Sequence, residues 1–351
     1  MLSPKSSSRG KFLAQYVRVR ITRMDTVDIG LFEHDRHNTL YYYILNADEQ
    51  IYMRYGGRDS TEPDTYLSLE SLELALQKGL ELHAKRASLP KQPRPAPDFA
   101  KNYSLLIERT VARGQCVECH LIGDFQNLHR ERDKTIDKMT HLYRSPDIKT
   151  IGIHLDIPKG LLVAKAEGAV AAAGMQPGDR IVGIDGTPVY TFADLQHAYD
   201  KTDRRTAKQI KLTVDHPGTL ATVARDLTVT LPQRWWLYDV TYRQSSVEPR
   251  LYFGCQPMSP VEKQKHELNP EGFACTVSRV DSFALSVKSH SLQVGDIVYG
   301  VNGVHRDDFA HTAELYMKLY MTPGDSAKLD LIRNGARLQS SLLSYRLSFR
   351  K

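Results

Sequence analysis

The sequence predicts a multidomain α+β chain, and three observations carry that prediction. Gly178-Asp179-Arg180-Ile181-Val182-Gly183-Ile184-Asp185-Gly186 returns as Gly295-Asp296-Ile297-Val298-Tyr299-Gly300-Val301-Asn302-Gly303. The same spacing carries on to Phe192 and Tyr199, which recur as Phe309 and Tyr316; a self-match in register over roughly 22 residues is expected of a duplicated supersecondary unit. Near the start, alternating and apolar runs read as a strand, a hairpin and a helix. The length of 351 residues allows more than one domain with a core of its own.

The first run, Tyr16-Val17-Arg18-Val19-Arg20-Ile21, alternates and predicts a strand. Leu40-Tyr41-Tyr42-Tyr43-Ile44-Leu45 predicts a second, and Asn46-Ala47-Asp48-Glu49 turns it into a third at 50–55, closing a hairpin that ends at Gly56-Gly57. Leu69, Leu72, Leu76 and Leu80 share one face of a helix expected over about 68–84. Pro90, Pro93, Pro95 and Pro97 make 89–97 an extended, semi-rigid linker. Residues 98–144 form a small segment, helical around 103–111. In each repeat a Gly-Asp turn feeds a buried strand, and Asp185-Gly186 or Asn302-Gly303 supplies a tight hairpin-type turn. In the first copy, Thr191 is placed to cap the helix that follows, with Asp194 three residues on. Gly160-Leu161-Leu162-Val163-Ala164 is a strand upstream of the first repeat, and 273–277 one upstream of the second. Residues 233–247 link the copies, and Trp235, Trp236 and Tyr238 there are expected to pack rather than to stack on a ligand.

Charged residues make up 25% and the formal net charge is +6. That balance is mixed in sign and no aromatic-basic stripe accompanies it, which argues against nucleic-acid binding. No apolar run is long enough to span a membrane. Met1 to Lys11 is basic and serine-rich without an apolar core, so no signal peptide is visible.

Of four cysteines, Cys116 and Cys119 have a meaningful spacing. Cys116-Val117-Glu118-Cys119-His120 matches the c-type haem attachment signature. Two thiols three apart can form thioethers to one porphyrin, and the next histidine then lies beneath the iron. Met139, His129 or His141 would supply a sixth ligand. The alternatives are a reversible dithiol, with Arg113 and His120 able to lower a thiol pKa, a zinc site with Cys116, Cys119, His120 and His129 or His141, and an inert motif. Covalent haem would imply export to the periplasm. Cys255 and Cys275 read as small buried hydrophobes.

The turn, strand, Asx-Gly turn and helix resemble the core of a PDZ domain, over about 145–232 and 248–351. Gly168-Ala169-Val170-Ala171-Ala172-Ala173-Gly174-Met175 is similar to the small-residue turn of bacterial PDZ domains, close to those of periplasmic high-temperature-requirement proteases. The resemblance implies two grooves that bind C-termini or extended segments of peptides or proteins. Ile151-Gly152-Ile153 and Phe253-Gly254-Cys255 would be the carboxylate loops. Leu195 and Tyr199, and Thr312, Leu315 and Leu319, would be the facing helix walls. No Gly-x-Ser-x-Gly nucleophile turn is present, so no protease activity is implied. The strand, hairpin and helix of 1–88 look like the second half of a thioredoxin-like fold, without its Cys-x-x-Cys and without a proline before Leu40. The order of parts resembles a family of bacterial thioredoxin/PDZ fusion proteins, whose fuller members carry a Cys or selenocysteine centre upstream. The functional expectation is a tandem peptide-binding protein carrying haem c and serving a redox partner. The alternatives are a non-catalytic scaffold with a structural CxxCH and a thiol-disulfide oxidoreductase using Cys116 and Cys119.

Overall fold

A computed structural model describes residues 4, 6–38, 40–90, 93–216 and 224–347. Expectations that touch Met1, Thr39 or the linker positions Lys91 and Gln92 lie outside the described residues. Before the first repeat the elements are α1 (Ser8–Leu13), β1 (Tyr41–Leu45), β2 (Ile51–Gly56), α2 (Leu69–Ala84), α3 (Ser104–Arg109), α4 (Cys119–Arg132) and α5 (Lys138–His141). The first repeat contributes β3 (Ile153–Leu155), β4 (Val163–Ala166), α6 (Gly168–Ala172), β5 (Arg180–Ile184), β6 (Thr187–Pro188), α7 (Phe192–Asp200), β7 (Gln209–Asp215) and β8 (Arg225–Thr230). The second contributes β9 (Phe253–Pro257), α8 (Pro260–Lys265), β10 (Cys275–Val280), α9 (Phe283–Ser286), β11 (Ile297–Val301), α10 (Ala313–Tyr320), β12 (Ser326–Arg333) and β13 (Ala336–Leu343). The chain forms two compact units, Met1–Gln126 with Tyr143–Tyr242, and Asn127–Leu142 with Arg243–Lys351.

In the first unit the β1–β2 hairpin forms as expected, with Tyr42 opposite Tyr55 and Ile44 opposite Met53. Its turn is held by Asn46, whose Oδ1 accepts from Gln50 N at 2.9 Å. Ser68 caps α2, and Ala75, Leu76 and Leu82 bury against Ile44, Met53 and Tyr55. The strand expected at 16–21 does not form. Val17 is 94% and Val19 73% exposed; alternation gives a run the pattern of a strand but not a partner, and no described sheet edge pairs with this one. The apolar cover comes instead from α1, through Leu13 and Phe12, and from Tyr16, whose hydroxyl donates to Leu76 O at 2.5 Å. What stands before the repeats is therefore a two-stranded hairpin with helices, not the strand, hairpin and helix of a thioredoxin half.

The repeat is a matter of bonding as well as spelling. In the first copy Gly178 N donates to Val163 O and Val163 N to Asp179 O, both at 2.8 Å; in the second, Gly295 N donates to Val277 O at 2.9 Å and Val277 N to Asp296 O at 2.8 Å. Asp179 and Asp296 each receive a backbone N–H three residues back and an arginine from a later strand, Arg225 and Arg333. Asp185 and Asn302 sit at φ 46° and 52°, followed by Gly186 and Gly303 at 77° and 79°, the left-handed pair a tight hairpin turn requires. Each Asx Oδ1 then accepts at 2.8 Å, from Lys211 N and from Lys328 N. Beyond the turn the copies diverge. Thr191 caps α7 and Thr312 caps α10, and the path from Gly303 to Thr312 is four residues longer than that from Gly186 to Thr191. Phe309 therefore falls in the approach loop, where its N–H meets Asp307 Oδ1, and is not the counterpart of Phe192. Tyr316 likewise lies nearer its cap than Tyr199 does.

The sheets differ in closure. In the first copy the β3-β4 pair meets the sheet β6-β5-β7-β8 only through the Leu162–Arg180 bridge and its neighbouring backbone bonds, whereas in the second all strands join in the order β13-β12-β11-β10-β9. The core of the second copy gathers Phe253, Phe273, Val277, Val298, Met317, Leu329 and Leu342. Trp235 packs on Tyr199 with ring centres 4.7 Å apart, and Trp236 on Tyr143 at 5.1 Å; both pack, as expected. Within the second unit, α5 lies beside α10. The buried Lys138 ammonium donates to the carbonyls of Lys318 (3.2 Å) and Met321 at that helix's end.

Candidate functional site

Gly114, left-handed at φ 70°, ends the short turn after α3, and Cys119 opens α4. The stretch between is pinned from below. Val117 is buried, its N–H 3.4 Å from Asp25 Oδ1, and His34 Nε2 lies 3.2 Å from the Cys119 carbonyl oxygen. Cys116 is consequently exposed, Cys119 and His120 are half-buried, and His120 Nε2 is 3.3 Å from Glu118 Oε2. All four cysteines are free thiols. Met139 is buried, His129 Nδ1 is 3.0 Å from Arg132 Nη2, and His141 Nδ1 accepts from Asp137 N at 3.0 Å; these three belong to the second unit. Among the described residues no three His, Cys, Asp or Glu side chains converge as metal donors.

At the first predicted groove, Ile151, Gly152 and Ile153 are all buried. Gly152 is left-handed at φ 93° and its carbonyl accepts from Glu167 N at 3.0 Å; a Cβ there would come within 1.9 Å of Glu167 O. Leu195 and Tyr199 are buried as well. Helix α7 is enclosed because the β1–β2 hairpin covers it. Arg54 N donates to Asp194 Oδ1 at 2.9 Å, Thr191 Oγ1 donates to Arg54 O, and Gln196 Nε2 reaches the carbonyls of Arg58 and Ser145 at 3.2 Å. Tyr66 stacks on Phe192 at 3.4 Å. Burial raises the Asp194 carboxyl to about 6 and lowers the His197 imidazole to about 4. A cleft of about 500 Å³ in this unit, lined by Leu74, Lys78, Arg180, Tyr190 and Asp215 among others, includes none of Ile151, Gly152, Ile153, Leu195 and Tyr199.

The second predicted groove is built differently. β9 is the outer strand of its sheet, paired on one side only, with Gly254 opposite Arg279 and Cys255 opposite Val277. Phe253 is buried in the core, while Gly254 and Cys255 are half-buried. On α10, Ala313, Tyr316 and Met317 face the core. Leu315 and Leu319 are buried on the opposite side of the helix. The side chain that reaches the free edge of β9 is Glu314: its Oε2 accepts from Cys255 N at 3.0 Å, and its Oε1 pairs with Lys318 at 3.0 Å. The Cys275 thiol beside it, with burial, pushes the Cys255 thiol far above its ordinary range, so this sulfur is a packing group. Glu314, Lys318 and Arg279 were not anticipated. The available signal was the Glu-Lys pair at i,i+4, one position off the apolar stripe.

A family model described as a PDZ domain matches residues 163–215, from β4 through β7 of the first copy. No curated protein matches the chain. Among solved structures it is similar to a variant of the HtrA-type protease AlgW with a decapeptide, at 12% identity and TM-score 0.25, over 39% of this chain and 41% of that one. It is similar also to AlgW with a tripeptide, at 14% identity and TM-score 0.25, over 38% and 44%. A third is a serine endoprotease from Yersinia pestis, at 12% identity and TM-score 0.21, over 39% and 52%. The chain spans about half or less of each, and at such scores the likenesses say nothing about activity.

Proposed function

We propose that this chain is a peptide- and protein-binding protein built on two PDZ-type scaffolds, and that its working receptor edge is β9. The observation that carries the reading is the PDZ-domain match at 163–215 taken with the bond-for-bond repeat of that scaffold around 295–303. An unpaired strand edge flanked by a helix suits addition of an extended peptide, whose main chain supplies affinity and whose side chains supply specificity. Ile151, Gly152, Ile153, Leu195 and Tyr199 are buried, which directs the proposal to Phe253, Gly254, Cys255 and α10. Fluorescence polarisation with labelled peptides ending in a free carboxylate tests it. Saturable binding weakened by Cys255→Pro, which removes the edge N–H, is expected; absence of binding to any peptide of a randomised pool sinks the proposal.

A second reading concerns Cys116, Cys119 and His120, favoured by one observation: two free thiols and the following imidazole are accessible on a single turn at the head of α4. That arrangement fits covalent attachment of haem c, with His120 as the axial ligand. Bound there, the haem would supply one-electron transfer toward a redox partner. Asp25 and His34 would hold the turn in place. Pyridine haemochrome spectroscopy on protein made alongside a haem-attachment system in the periplasm decides it. Absence of a covalent haem band leaves a scaffold, or a dithiol that insulin reduction would reveal.

A further inference from the structure

The geometry points to a receptor edge in the second unit that is stoppered by its own Glu314, and that selects peptides able to bring a basic side chain to that carboxylate. The inference rests on the peptide-receptor reading above and names the partner it fits. Cys255 N–H lies on the free edge of β9, where an incoming strand would need it for its own carbonyl, and it is already donated to Glu314 Oε2 at 3.0 Å. The bond joins helix α10 to β9 across the width of the groove. Glu314 is further held by Lys318 at 3.0 Å, and Lys318 by the buried Glu248 at 3.4 Å. The helix wall thus presents the Glu314 carboxylate to the edge, with Lys318 held between it and the buried Glu248.

The loop end is of opposite sign. Arg279 stands across from Gly254, close enough that a Cβ on that glycine would lie 3.5 Å from its Nη2 and 3.9 Å from Glu314 Oε2. Among the described residues Arg279 has no acidic partner, and its side chain is exposed. A peptide with a free carboxylate near Arg279 and a lysine or arginine facing Glu314 complements both ends. When such a strand takes Cys255 N–H, the displaced Glu314 exchanges one charge-assisted hydrogen bond for another. A peptide with an apolar or acidic residue there leaves the carboxylate without that exchange.

Fluorescence polarisation of the full chain distinguishes the outcomes. The probes are labelled octapeptide pools with free carboxyl ends, fixed as Lys, Ala or Glu at one of the last four positions and randomised elsewhere. Wild type is expected to bind the Lys pool at one of those positions at least tenfold more tightly than the Glu pool. Glu314→Lys should invert the order. Glu314→Ala, and Glu314→Gln as the closer isostere, should abolish the preference while tightening the Ala pool severalfold, with circular dichroism showing each variant folded. Affinities that stay within twofold of wild type in all three variants would overturn the inference and leave the peptide-receptor reading standing. Failure of every pool to bind wild type and variants alike would remove both.

Discussion

Asp194 is a carboxyl group enclosed between two elements that each need it. Its oxygens receive Arg54 N at 2.9 Å and Tyr190 N at 3.4 Å, yet burial outweighs these bonds and holds its pKa near 6, against about 3.9 in an unfolded chain. The folded state therefore keeps a proton that the unfolded state has lost between about pH 4 and 6, and stability falls as pH rises through that window. Asp194→Asn removes the titration while keeping an acceptor. Denaturant melts should show wild type losing up to about 3 kcal/mol relative to the variant between pH 4 and 7; a pH-independent difference would show that Asp194 is not the buried acid described here. Glu33, which Arg144 and Lys201 draw down to about 2 against the cost of its burial, is common to both proteins and cancels.

At the scale of elements, the glycines of Ile151-Gly152-Ile153 and Phe253-Gly254-Cys255, expected to form carboxylate loops, look alike in sequence and are not alike in space. Gly152 is left-handed with a backbone oxygen 1.9 Å from where a Cβ would stand, while Gly254 has only side-chain atoms at 3.5 Å and beyond and an ordinary φ. Gly152→Ala should cost about 2–4 kcal/mol and Gly254→Ala under about 1 kcal/mol, as read by chemical denaturation. Equal costs would mean that the two loops share one geometry after all.

The same contrast explains what was legible beforehand. Turns written in Asp-Gly and Asn-Gly were readable because only a few residues tolerate those dihedrals. The hairpin and the Ser68-capped α2 were readable because period and cap agreed. Tyr16 to Ile21 was misread because a strand needs a neighbour, which no local pattern records. The helix walls expected of the grooves show where such reading stops. An apolar stripe announces burial, but not whether a core or a ligand does the burying, so Leu195 and Leu315 were singled out while Glu314 and Lys318 went unseen.

For the molecule as a whole, the informative feature is that the second unit is not one continuous stretch of chain. Residues 127–142 belong to it, bringing Lys138 to the end of α10 and Glu131 within 2.8 Å of Arg346. A fragment starting at 243 lacks both. Scanning calorimetry should find 243–351 melting well below a protein in which 127–142 is fused ahead of it or supplied as a peptide. Equal melting temperatures would show that the inserted segment contributes nothing to folding. The first unit makes the matching demand, since Phe192 and Gln196 are covered by the hairpin and loops that precede them.

That discontinuity has a consequence for proteolysis. The polypeptide passes from one unit to the other after Gln126, back after Leu142 and across again after Tyr242. Severing the connector near 242 leaves 127–142 joined to the first unit at both ends, so 243–351 is then held through its packing on that segment; a nicked molecule should still travel as a single species under native conditions, and should part into 1–242 and 243–351 only in denaturant.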